Sequence, residues 1–168
     1  MYSIINSINK ITDSIGKAVS WLTLLLVILI GVDVVLRYLF NWNSSANQEM
    51  EWHLFAALFL LGAAYTLRHD KHVRVDVFYS QFSPTKQAWV NFIGTLIFLI
   101  PFCLVVFWTS LSFVSDAWMI KESSPEPGGL PARFVIKSAI PASAFLLFLQ
   151  AVSILLYSLS RILNTKEL

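Results

Sequence analysis

From Leu54 to Leu67 no side chain carries a charge; acids precede this run and bases follow it. Fourteen residues make about 21 Å of α-helix, whereas a bilayer core of roughly 30 Å needs about 20 residues. A crossing helix must therefore begin near Gln48, which sets Glu49, Glu51 and His53 at or just inside one interface. Arg68, Lys71 and Arg74 arrive together at the other. Acid at a helix start and base at its end suit the helix dipole and give the span a direction. The stretch 48–67 predicts an oriented transmembrane helix.

The rest of the chain repeats the pattern. Of its 168 residues 57% are hydrophobic and only 13% are charged, against about 25% charged in soluble domains. The net charge of +2 is too small and too dispersed to favour nucleic acid. Cys103 is the lone cysteine and lies in an apolar run, which rules out an intrachain disulfide and a cysteine metal cluster. The whole reads as one membrane domain, all-α, with four transmembrane helices.

Residues 1–17 lack the layout of a signal peptide. Ile4, Ile8, Ile11 and Ile15 recur at helical spacing among Asn9, Lys10, Asp13 and Lys17, which predicts an amphipathic helix lying in the headgroup plane. A first span covers about 18–40. Asp33 and Arg37 stand one turn apart near its end, placed for a structural ion pair. The second span is 48–67. A third, about 88–115, would extend about 42 Å, longer than the bilayer core, so it should tilt, project or kink at Pro101. The fourth covers about 138–160, with Pro141 in its first turn, where a missing N–H is harmless.

Lysine and arginine set the orientation. Eight lie in the N-terminal segment, second loop and tail, against three in the first and third loops. The positive-inside rule puts both termini in the cytoplasm. Trp21 and Trp89 would then mark the inner interface, and Trp42, Trp52 and Trp118 the outer one.

Chemistry is scarce. His53, His69 and His72 are the only histidines, and just one is near membrane depth, so a pair of axial haem ligands is not provided. There is no Ser/His/Asp set, no HExxH motif and no carboxylate at mid-bilayer. Gly62 and Thr66 form a small-xxx-small pair suited to close helix contact. By elimination the chain reads as a membrane subunit that packs against a partner. Two other classes stay open: a haem-bearing anchor of a respiratory oxidoreductase, and an independent small carrier.

A family emerges from three runs: VDVVLRYLFN (Val32–Asn41), Glu49 to Trp52 followed by FLLGAA (Phe59–Ala64), and LRHDKHVRVDVF (Leu67–Phe78). In order, spacing and four-helix topology the chain resembles the small membrane (DctQ-like) subunit of tripartite ATP-independent periplasmic (TRAP) transporters. Arg37, Glu49, Gly62, His72 and Asp76 occupy positions where the family has those residue types. The segment ESSPEPGGLPARFVIK (Glu122–Lys137) is similar to a branch that often handles larger organic acids. Ser44 to Asn47 departs from the aromatic that many members carry before the glutamate, which bears on the shape of the outer loop.

The resemblance implies a division of labour. A periplasmic substrate-binding protein captures an organic acid, a large membrane subunit moves it on a sodium gradient, and the small subunit is a fixed scaffold. No cofactor is expected in this chain, and sodium coupling belongs to the large subunit. Glu49 is expected to pair with Arg37 at the outer interface. Glu51, Gly62 and Thr66 are expected to pack on the large subunit. Glu122, Glu126 and Pro127 are expected to help dock the binding protein on a loop whose prolines restrict the backbone.

Overall fold

The computed structural model describes residues 2–69 and 79–164. Among them there are helices and no strands: α1 Tyr2–Phe40, α2 Ser45–Arg68, α3 Pro84–Gly94, a π-helical turn Thr95–Leu99, α4 Ile100–Met119, α5 Phe134–Lys137 and α6 Ala139–Asn164. The third span is one continuous rod, α3, π-turn and α4, and the fourth is α5 with α6. All four spans are long and apolar enough to cross a membrane.

The start of α1 is not a separate arm. Tyr2–Phe40 is one helix of 39 residues, about 58 Å long. Over its first half the buried positions are Ile5, Ile8, Thr12, Gly16 and Val19, whereas Ile4 and Ile11 are about half exposed. Of the isoleucines expected to face the headgroup plane, Ile4 and Ile11 are thus exposed, while Ile8 is buried. Asn9, expected among the solvated positions, accepts hydrogen bonds through Oδ1 from Gln150 Nε2 (3.3 Å) and Ser153 Oγ (3.0 Å) of α6. Thr12 Oγ1 donates to Gln150 Oε1 at 3.1 Å. In an apolar bundle a polar side chain gains most by finding another, so the polar side of the segment docks inward.

α1 and α2 run antiparallel and make the largest helix–helix contact. Gly16 permits it: a Cβ at that position would overlap the Tyr65 side chain. Near the termini end, Arg68 forms an ion pair with Asp13 and donates to the Asn9 carbonyl, and His69 Nε2 lies 3.2 Å from Asp13 Oδ1. α1 stops at Asn41, whose positive φ of 51° turns the chain so that the Trp42 N–H reaches the Leu36 carbonyl at 3.2 Å. Asparagine tolerates that left-handed conformation better than most residues.

α3 starts at Pro84 behind Ser83, whose Oγ accepts the Lys86 N–H at 3.5 Å. Ahead of Pro101 the helix widens into the π-turn, with the Ile100 N–H bonded back to the Thr95 carbonyl. Proline cannot donate, and its ring crowds the preceding turn; the wider turn keeps the span helical through that position. Along this rod the buried residues are Ala88, Thr95, Cys103, Ser110 and Ala117.

α6 is the central helix. In its most apolar stretch 39% of residues are buried within the chain, against 6–11% in the other spans. Its buried face includes Leu146 and Ile162 but is mostly small or polar, with Ser143, Gln150, Ser153, Ser158 and Ser160 among its residues. Ser143 Oγ donates to the Leu60 carbonyl of α2 at 2.6 Å. Small residues let backbones approach, and hydroxyls supply the cross-helix bonds that lipid tails cannot.

Candidate functional site

The end of the bundle opposite the termini carries an ordered loop between α4 and α5, and its geometry starts from α4's last turn. Lys121 takes a positive φ of 47°; its N–H bonds the Trp118 carbonyl (3.1 Å) and the Glu122 N–H bonds that of Ala117 (2.9 Å). That paired ending is a Schellman motif, with lysine in the position usually held by glycine. The chain then doubles back. Ser124 N–H bonds the Leu130 carbonyl (3.0 Å), and Arg133 N–H bonds the Glu122 carbonyl (2.9 Å). At the tip, Glu126–Pro127–Gly128–Gly129 closes with Gly129 N–H to the Glu126 carbonyl at 3.0 Å. Pro127 presets φ and Gly128 supplies the positive φ of 74°, which a type II turn requires at its third residue.

Glu49 holds this loop from below. Its Oε2 accepts the Leu130 N–H at 2.6 Å, its Oε1 accepts from Ser124 Oγ, and Arg133 Nη2 lies 3.8 Å away. Gly129 lets the carboxylate in, because a Cβ there would lie 2.9 Å from Glu49 Oε2 and overlap Ser124. Around the clasp, Arg133 sits 5.6 Å over the Trp52 ring. Trp118 meets Phe134 edge to face at 4.5 Å. Lys137 pairs with Glu122, its ammonium 4.0 Å above the Phe113 ring.

The expected pairing of Glu49 with Arg37 is therefore corrected. Arg37 belongs to Asp33, the residue one turn before it on α1, which is 2% exposed. Glu49 has the loop's amides and hydroxyl as partners instead. An ion pair within one turn holds two side chains already fixed side by side, whereas a cross-helix pair must position both.

The remaining expected residues are placed as follows. One Glu51 carboxylate oxygen is buried without a hydrogen-bond partner. Gly62 has open space where a Cβ would stand, and Thr66 is exposed, its Oγ1 donating to the Ala63 carbonyl at 2.8 Å. Among the described residues nothing lies within 4 Å of where a Gly62 Cβ would stand, whereas Gly16 is in close helix contact. Glu126 and Pro127 are exposed at the loop tip, and Glu122 is tied to Lys137 at its base. His53 Nδ1 contacts the Glu49 carbonyl and stacks on Trp52 at 4.0 Å. His72 and Asp76 lie outside the described residues. Sequence reasoning missed Gln150 and Ser124. Gln150 could have been flagged as the only amide in the last apolar span; Ser124, one of two adjacent serines in the loop, carried no signal.

Comparison with known proteins matches this architecture. Residues 26–161 match the family described as "Tripartite ATP-independent periplasmic transporters, DctQ component". The chain is also 31% identical over 147 residues to a protein of Haemophilus influenzae (strain Rd) named "Putative TRAP transporter small permease protein", covering 88% of this chain and 89% of that one. With four membrane-spanning helices and a family match over most of its length, this chain belongs to the DctQ family and is a multi-pass inner-membrane small permease subunit of a TRAP transporter.

Proposed function

We propose that this subunit is the stationary scaffold of a sodium-driven, binding-protein-dependent importer of an organic acid. The large membrane subunit performs the transport. The small subunit presents the loop 120–133 to the periplasmic binding protein, with both termini in the cytoplasm, as its lysine and arginine distribution favours. The observation that supports this reading best is the clasped loop. It is braced by backbone bonds, a type II turn and the Glu49 carboxylate, so docking on it would remove little conformational entropy. The exposed tip offers Glu126 as a charge that a basic partner surface can meet and register on. Glu51, Gly62 and Thr66 are proposed contacts of the large subunit. Among the described residues Gly62 has open space beside it, Thr66 is exposed, and one Glu51 carboxylate oxygen has no hydrogen-bond partner.

The test is uptake by proteoliposomes holding this chain, the large subunit or both, with the binding protein and a sodium gradient supplied outside. Uptake should require both membrane subunits. Accumulation by this chain alone would overturn the scaffold reading, as would full uptake by the large subunit alone.

A further inference from the structure

Beside the clasped loop a groove of about 250 Å³ opens between α2, α4 and the start of the fourth span, and the transport reading does not use it. Its lining changes with depth. Arg133 stands at the polar end, 5.6 Å over the Trp52 ring. From there Trp52, Ala56 and Leu60 follow at intervals of four along α2, a stripe about 12 Å long. Ile136 and Ile140 line the groove from the fourth span, and Phe113 from α4. α2 and α4 scarcely touch one another directly, so the groove is a gap between spans.

The two cations on its wall differ. Lys137 is paired with Glu122 and covers the Phe113 ring. The Arg133 side chain is 26% exposed, and its Nη2 lies 3.8 Å from Glu49 Oε1, beyond hydrogen-bond reach. Both Glu49 oxygens already accept other donors, from Ser124 and Leu130, and Arg133 Nε has no hydrogen-bond partner. Among the described residues the guanidinium thus has a counter-charge nearby and no acceptor.

A guanidinium presents up to five donors in a planar fork that suits phosphate oxygens. Tryptophans mark the headgroup level of a bilayer, and the oxyanion found at that level is the phosphate diester of a lipid. Below it the groove is apolar. One turn of helix, about 10–12 Å across and about 5.4 Å long, fills more than about 400 Å³ and exceeds this space; a hydrocarbon chain is thin enough to enter. A soluble phosphate ester would satisfy Arg133 and leave the apolar stripe bare.

We infer that the groove holds a phospholipid of the leaflet on the loop side, its phosphate on Arg133 and one acyl chain running over Ala56 and Leu60 against Ile140. The chain fills the gap that α2 and α4 leave between them.

The experiment uses the full chain, purified in neutral detergent and stripped of lipid, with binding read by native mass spectrometry. Phosphatidylglycerol, a diacylglycerol with the same chains, and glycerol 3-phosphate are added in turn. Phosphatidylglycerol should bind about tenfold more tightly than the diacylglycerol, the effect of a charge-assisted hydrogen bond. Arg133→Gln should remove about tenfold, and Arg133→Lys should restore part of it. Ala56→Phe fills the apolar stripe, leaves Arg133 in place and should also weaken binding. Equal binding of the two lipids, or wild-type affinity in Arg133→Gln, would overturn the proposal; unchanged binding in Ala56→Phe would overturn the placement of the chain. Displacement of phosphatidylglycerol by millimolar glycerol 3-phosphate would assign the site to a soluble ester instead. A phosphatidylglycerol with a photoactivatable acyl chain, used on the wild-type protein, gives a reading that no variant's folding can disturb. Its adducts should map to 52–60 and 136–140, and adducts confined elsewhere would rule the groove out.

Discussion

Glu49 Oε2 accepts the backbone N–H of Leu130 at 2.6 Å, joining two residues 81 positions apart in the chain. One carboxylate thereby fixes the loop that crowns the bundle. Glu49→Ala should raise hydrogen exchange at Leu130 and Gly129 and open the loop to protease, while the spans keep their helicity. Glu49→Gln should be milder, because its amide oxygen can still accept one of the bonds. Unchanged exchange at Leu130 in Glu49→Ala would show that the clasp does not hold the loop.

Arg37→Ala leaves Asp33 buried without its partner, and Asp33 Oδ1 already has none. Because Arg37 is itself 42% exposed, a loss of about 1–3 kcal/mol is expected, below the figure for fully buried pairs. Asp33→Asn should recover much of it. Arg37→Ala and Glu49→Ala should be additive, since these residues belong to different clusters. Thermal unfolding in detergent measures all of these.

Glycine positions separate sharply. Gly16→Ala should destabilise by about 1–3 kcal/mol through overpacking against Tyr65, and Tyr65→Ala should offset part of that. Gly62→Ala, with open space around it, should be close to neutral for this chain's own stability.

A docking test on the loop has to respect its internal bonds. Glu122→Lys places a second cation beside Lys137 and should loosen the loop; Lys137→Glu in the same chain should restore it. Glu126→Lys touches only the exposed tip. It should weaken the apparent affinity for the binding protein in uptake assays while leaving assembly intact. An unchanged dependence on binding-protein concentration would remove the tip from the docking surface.

Gln150→Leu deletes the bonds to Thr12 and Asn9 and should cost about 1 kcal/mol, typical of polar contacts within membrane bundles. Thr12→Val combined with it should cost less than the sum of the two.

The sequence was a good guide wherever charge or hydropathy ran unbroken. The four spans, the Asp33–Arg37 pair and the family all follow from local patterns of that kind. Partners distant in sequence were not legible. Glu49 offered a charge, but nothing local distinguished a cation on α1 from backbone amides 81 positions away. Gly16 and Gly62 look alike in sequence, and only packing shows which one meets a ring. The N-terminal isoleucines announced a hydrophobic face, yet the bonds of Asn9 and Thr12 with α6 decide which way the segment turns. Periodicity describes a helix by itself, and a polar group's preference depends on what stands opposite.

The π-turn leaves a mark on the third span's numbering. Its buried residues are spaced seven apart from Ala88 to Thr95, eight apart to Cys103, then seven apart again to Ser110 and Ala117. The single longer step falls where the turn Thr95–Leu99 widens, so one surplus residue is absorbed there and the seam stays in phase on both sides. A chain lacking one residue among Leu96, Ile97 and Phe98 would run at sevens throughout as an ordinary α-helix. Such a deletion should leave the bundle assembled, whereas the same deletion near Thr109 should throw Ser110 and Ala117 off the seam. At that one turn the span tolerates a change of length that its other turns do not.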